Sequence, residues 1–141
     1  MSLITSLLIS IAGLIYFGLG TLHLVYTFFS NKFEPWESDL TGRLQHSTLR
    51  ITRQTTFWKA WIGFNASHST GAAFFGVVLI LTAWTTIGAG AAGQVVWALS
   101  IVHSGFYVWL ARRYWFRVPL AGTAIATLLL LVAGFIQLAQ S

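Results

Sequence analysis

Four stretches of this chain are each long and apolar enough to cross a lipid bilayer as a helix. The hydrocarbon core of a membrane needs about 20 mostly apolar residues per helix. The segments Leu3–Phe29, Phe57–Trp84, Gln94–Ala111 and Phe116–Gln137 answer to that length, the third being the shortest. Inside lipid every backbone N–H and C=O has to be satisfied within the protein, which dictates helices for isolated spans. The expected fold is therefore all-α, an integral membrane four-helix up-and-down bundle, with residues 1–141 forming a single transmembrane domain.

The charge content agrees. Only 8% of the 141 residues are charged and 56% are hydrophobic, where a soluble domain carries about 25% charged residues. No cysteine is present, which excludes disulfides, iron–sulfur clusters and thiolate metal sites. The start MSLITSLLIS has no basic residue ahead of its apolar run. It reads as a retained first span rather than a cleaved signal.

The distribution of charge sets an orientation. The eight basic residues are Lys32, Arg43, Arg50, Arg53, Lys59, Arg112, Arg113 and Arg117. They flank the connections between spans 1 and 2 and between spans 3 and 4, whereas the link TTIGAGAAG between spans 2 and 3 is neutral. By the positive-inside rule the loops 30–56 and 112–115 are cytoplasmic and both termini lie outside. The pattern is that of topology, not of a nucleic-acid footprint, and no nucleic-acid partner is expected. The expected location is the bacterial inner membrane, with membrane lipid as the immediate partner and a homo-oligomer or a larger membrane complex as alternatives for assembly. Trp58, Trp61, Trp84, Trp109 and Trp115 fall near the span ends, where interfacial anchors belong.

The first loop contains all three acidic residues, Glu34, Glu37 and Asp39, expected to be solvated. From Leu40 to Ile51 the sequence LTGRLQHSTLRI fits either a short surface helix, with Leu40, Leu44 and Ile51 on one face, or an ordinary solvated connector.

Three of the four histidines, His23, His68 and His103, fall inside spans 1, 2 and 3. Ionisable residues in spans are expensive and mark candidate functional positions. At 1.5 Å per residue all three sit roughly 10–15 Å inside the cytoplasmic boundary. At about 100° per residue, Trp61, Asn65, His68 and Ser69 share one side of span 2, Ser100, His103 and Tyr107 one stripe of span 3, and Tyr16, His23 and Thr27 one stripe of span 1. Span 4 offers only Thr123 and Thr127, which can bond back to their own backbone. The expectation is a partly polar pocket in the cytoplasmic half of the membrane. His23, His68 and His103 would be its reactive groups, and Asn65, Ser69, Ser100, Tyr107, Tyr16 and Trp61 its ligand-binding groups. On the opposite side of span 2, Gly63, Ser67 and Gly71 form a small-xxx-small ridge suited to close helix packing.

Three chemistries fit such a constellation. Neutral imidazoles shielded from water can act as bases on an apolar lipid, quinone or isoprenoid-like ligand. Three imidazoles can hold one transition metal, or two facing ones can ligate haem b. Alternatively the histidines only lock helix packing in a non-catalytic accessory or scaffold subunit. The spans contain no carboxylate, which removes the residues a di-iron centre needs.

The segment WKAWIGFNASHSTG, together with the preceding LTGRL and LRITRQTTFW, resembles a family of small four-helix bacterial membrane proteins with no established activity. The resemblance implies the fold and carries no reaction. In size and span number the chain also resembles the small four-helix membrane enzymes of the glutathione-dependent eicosanoid and sterol-isomerase families. It lacks their intramembrane charged residues, so that likeness stops at architecture.

Overall fold

The structure, a computed structural model, describes residues 1–85 and 90–139, with Ser38 described for its backbone alone. The chain is mostly helical. In order it forms α1 (Leu3–Phe29), α2 (Ser38–His46), β1 (Thr48–Leu49), β2 (Thr52–Thr56), α3 (Phe57–Trp84), α4 (Gly90–Tyr114) and α5 (Arg117–Ala139). The helices α1, α3, α4 and α5 are each long and apolar enough to cross a membrane. The first two coincide with the segments read from the sequence. The third extends further at both ends than the expected Gln94–Ala111, because the glycines and alanines before Gln94 and the arginines after Ala111 continue the helix. The centre of the neutral link, residues 86–89, lies outside the described residues.

The first loop departs from the sequence reading. A helix does form, but it ends at His46, where the Ser47 N–H and hydroxyl both bond the Arg43 carbonyl, at 2.9 and 2.7 Å. The chain then makes a two-stranded antiparallel hairpin that pairs Thr48 with Thr56 and Leu49 with Thr52. The run TRQTT is rich in β-branched residues, which favour a pleated strand over a helix. Ile51 consequently sits in the hairpin turn, 90% exposed, and does not share a face with Leu40 and Leu44. The fold is therefore not wholly α. The three acidic side chains are all exposed.

The chain divides into two compact units. The first comprises Met1–Leu19 and Ala72–Ser141, the second Gly20–Gly71. In the first, the N-terminal part of α1, the C-terminal part of α3, and α4 and α5 enclose a core of mostly small residues. Ala12, Ala126, Leu130 and Ala133 are completely buried there. Small side chains let backbones approach, which is how helices gain dispersion energy in lipid. Backbones approach closely between Gly13 and Gly76: a Cβ on Gly13 would stand 2.7 Å from the Gly76 carbonyl oxygen, and a Cβ on Gly76 would meet the Gly13 carbonyl. The ridge read from the sequence is a different one. Nothing among the described residues lies within 4 Å of a Cβ placed on Gly63 or Gly71, and Ser67 is exposed.

Large apolar side chains cover the outside of all four long helices. Leu14, Phe64, Phe74, Val102, Leu128 and Phe135 are among those more than half exposed. A soluble monomer rarely presents apolar surface on this scale.

Candidate functional site

In the second unit, α1 and α3 bring together three of the residues singled out in the sequence. The Asn65 Nδ2–H donates to the Trp61 carbonyl one turn earlier, at 2.8 Å. That contact orients the carboxamide, so the atom facing His23 is the carbonyl oxygen. At 2.9 Å from His23 Nε2, it can only accept. Nε2 therefore carries the proton, and in the neutral ring Nδ1 holds the lone pair. The His68 ring lies edge-on to His23, with centroids 5.5 Å apart.

The loop after α1 folds onto this pair. Phe33 stacks on the His23 ring at 4.3 Å, and its carbonyl accepts the Trp61 Nε1–H at 3.1 Å. Trp61 therefore reaches the group through backbone. Ser69 is fully buried and donates to the Asn65 carbonyl at 2.6 Å, while Thr27 donates to the His23 carbonyl at 2.8 Å. The remaining hydroxyls of the polar run, Ser67 and Thr70, also donate to carbonyls of their own helix. That is how a helix carries NASHST without orphaned donors.

In the first unit, Tyr16 is buried to 1% and its hydroxyl lies 2.7 Å from Ser104 Oγ. Ser104 Oγ is in turn 2.6 Å from Thr127 Oγ1. Thr127 donates its single proton to the Thr123 carbonyl at 2.8 Å, so Ser104 has to donate to Thr127, and Tyr16 to Ser104. One directed chain thus joins α1, α4 and α5. Phe75 and Tyr107 pack edge-on against Tyr16, at 4.8 and 5.6 Å. His103 is exposed on α4, its ring 4.6 Å from Phe75 and 4.9 Å from Tyr107. Ser100 is buried and bonds the Val96 carbonyl of its own helix.

His23, His68, Asn65, Ser69 and Trp61 accordingly belong to one unit, and Tyr16, Ser100, His103 and Tyr107 to the other. Among the described residues no group of three or more His, Asp or Glu side chains is placed to hold a metal ion.

The first unit also contains a cavity of about 380 Å³. Its deep end is bounded by Ile9, Leu79, Ser100 and Leu130, and its outer end by Gly90, Gln94, Gln137 and Leu138. It lies where α1 and α4 begin and α3 and α5 end. One or two turns further along the same helices lie the Tyr16–Ser104–Thr127 chain and the rings around it. Of the residues expected to bind a ligand, only Ser100 lines this cavity.

Sequence reasoning missed Ser104 and Thr127 as a linked pair. The signal was present in the spacing of Ser100, Ser104, Tyr107 and Ala111, a buried stripe at helical period. It missed the cavity because the space is made by small residues such as Gly93, Ala133 and Gly134, which leave no local pattern.

No family model, no curated protein and no solved structure matches the chain. The functional reading rests on the geometry alone.

Proposed function

We propose that the chain is an integral protein of the bacterial inner membrane that crosses it four times with both termini outside. In this reading it holds an apolar ligand, a lipid, quinone or isoprenoid, in the cavity of its first unit. The observation that carries the reading is the cavity itself. Its volume falls within the range of small-molecule sites, and its wall is mostly apolar with a few polar groups, among them Gln94 and Gln137 at the outer end. The exposed apolar side chains of all four long helices support immersion in lipid, and the positions of the basic residues support the orientation.

A photoreactive hydrocarbon, hexadecane bearing a diazirine, tests the ligand reading. Saturable labelling is expected at Leu79, Ser100 and Leu130, with non-saturable labelling at lipid-facing Phe74, Val102 and Leu128. Ala133→Leu and Ala98→Phe, which fill the cavity from two helices, are expected to reduce the saturable fraction. Equal, non-saturable labelling at both sets would refute the site. Because the chain has no cysteine, single cysteines at His46 and Ala92 test the topology without background. Position 46 is expected to react only from the cytoplasmic side and position 92 only from the outside.

A second reading rests on one specific observation, the orientation of His23 by Asn65. A ring whose Nε2–H is held by a carbonyl presents Nδ1 as a base or ligand atom, the arrangement in which a second group fixes the tautomer of a working histidine. In that reading His23 and His68 act on an apolar substrate, and His103 belongs to the aromatic cluster rather than the reacting group. Loss of turnover or ligand binding in His68→Ala with the fold retained is the expected result. Unchanged behaviour of both His23→Ala and His68→Ala would leave the histidines a packing role.

A further inference from the structure

The chemistry of the cavity wall narrows what it takes. Among the described residues no ionisable side chain lines it, and the one charged group on a lining residue is the α-ammonium of Met1, a half-exposed residue just ahead of α1. A charged headgroup drawn inward past Met1 would lose its hydration without gaining a counter-charge, a cost of several kcal/mol. Helix dipoles do not supply the missing charge. The starts of α1 and α4 and the ends of α3 and α5 meet at the outer end, so their positive and negative poles stand side by side and offset one another.

The polar groups on the wall differ in what they have left to offer. The Thr82 hydroxyl donates to the Val78 and Leu79 carbonyls, both at 2.9 Å, and the Ser100 hydroxyl donates to Val96 at 2.8 Å. The Trp97 indole N–H is directed to the Leu130 carbonyl at 3.3 Å. These protons are committed within the protein, so the inner wall is a poor donor. The primary amides Gln94 and Gln137 are different. Each carries both a donor and an acceptor, and both line the outer end, on α4 and α5.

We propose that the ligand is an uncharged, hydroxyl-bearing amphiphile such as a long-chain or isoprenoid alcohol. It lies with its apolar end against Leu79, Ser100 and Leu130 and its hydroxyl between Gln94 and Gln137. A hydroxyl donates one bond and accepts another, which two carboxamides supply together. This inference rests on the cavity being a ligand site.

The test uses the full-length protein in lipid nanodiscs and competes the diazirine hydrocarbon with three unlabelled amphiphiles of equal chain length. These are hexadecanol, the ionised fatty acid and the trimethylammonium salt, at about pH 9 so that the acid is fully charged. Hexadecanol is expected to displace the saturable labelling at about tenfold lower concentration than either charged analogue. The double variant Gln94→Leu/Gln137→Leu is expected to abolish that preference while keeping hydrocarbon labelling. A hexadecanol with its diazirine at the chain end is expected to label the Leu79 and Leu130 level, and one with it beside the hydroxyl the Gln94 and Gln137 level. Saturable hydrocarbon labelling with equal or better competition by a charged analogue, or with the reversed labelling order, would overturn the proposal while leaving the cavity a site. Absence of saturable labelling by the hydrocarbon would overturn both.

Discussion

Asn65 holds His23 in one tautomer. Its amide N–H is anchored on the Trp61 carbonyl, so its oxygen faces the His23 Nε2–H at 2.9 Å. The restraint comes from sequence-local geometry on α3 acting on a ring carried by α1. Nitrogen-15 NMR of the histidine-labelled protein is expected to show neutral His23 protonated at Nε2 in the wild type. A mixture of tautomers is expected in Asn65→Leu. A dominant Nδ1–H signal in the wild type would contradict the assignment. The stability cost of Asn65→Leu is expected to be small, about 0.6 kcal/mol, the average for interhelical hydrogen bonds in membranes.

The hydroxyl chain from Tyr16 through Ser104 to Thr127 behaves as a unit, because each oxygen donates one proton onward. Tyr16→Phe and Ser104→Ala are each expected to destabilise by about 0.6–1.7 kcal/mol in reversible unfolding by detergent. The double variant is expected to cost less than the sum of the two, since the second change removes a group already missing its partner. Strict additivity would show that the two hydroxyls are not coupled.

Two glycine positions on α3 are expected to respond in opposite directions. Gly76→Ala drives a methyl into the Gly13 backbone, and a loss of about 1–3 kcal/mol is expected from overpacking that backbone atoms cannot relieve. Gly63 faces open space, so Gly63→Ala is expected to be neutral or to stabilise by up to about 1 kcal/mol through helix propensity. The same unfolding measurement reads both. Equal losses at the two positions would mean that the Gly63 face is also packed.

Trp97 occupies the space over Gly134, where a methyl group would overlap its indole. Trp97→Ala removes that ring from the cavity wall and is expected to shift the preferred competitor toward longer or branched chains. Gly134→Ala pushes the ring and is expected to weaken hydrocarbon labelling. An unchanged chain-length profile in Trp97→Ala would show that the indole does not shape the site.

Much of the fold was legible in the residues. The run lengths of Leu3–Phe29 and Phe57–Trp84 located two helices to the residue, because composition over some 27 positions outweighs any local preference. The shared face of Trp61, Asn65, His68 and Ser69 was also legible, since helical periodicity is a property of one segment. The hairpin at residues 48–56 was not. There the apolar spacing of Leu40, Leu44 and Ile51 fitted either a short helix reaching Ile51 or a solvated connector; a helix forms as far as His46, and the β-branched run TRQTT pairs as a strand with Thr48 and Leu49.

What the sequence by itself determined is the presence of four long apolar helices, the absence of charge within their centres, and the polar stripe on each of the first three. What the tertiary structure decided is which stripes meet. It placed His23 on Asn65 beside His68, joined Tyr16 to Ser104 and Thr127, set Gly13 rather than Gly63 at a close helix contact, and opened a cavity among Gly93, Ala133 and Gly134. Contacts of this kind join helices dozens of residues apart in the chain. They depend on how ridges of small and large side chains fit against one another, and hydropathy records only how apolar each residue is.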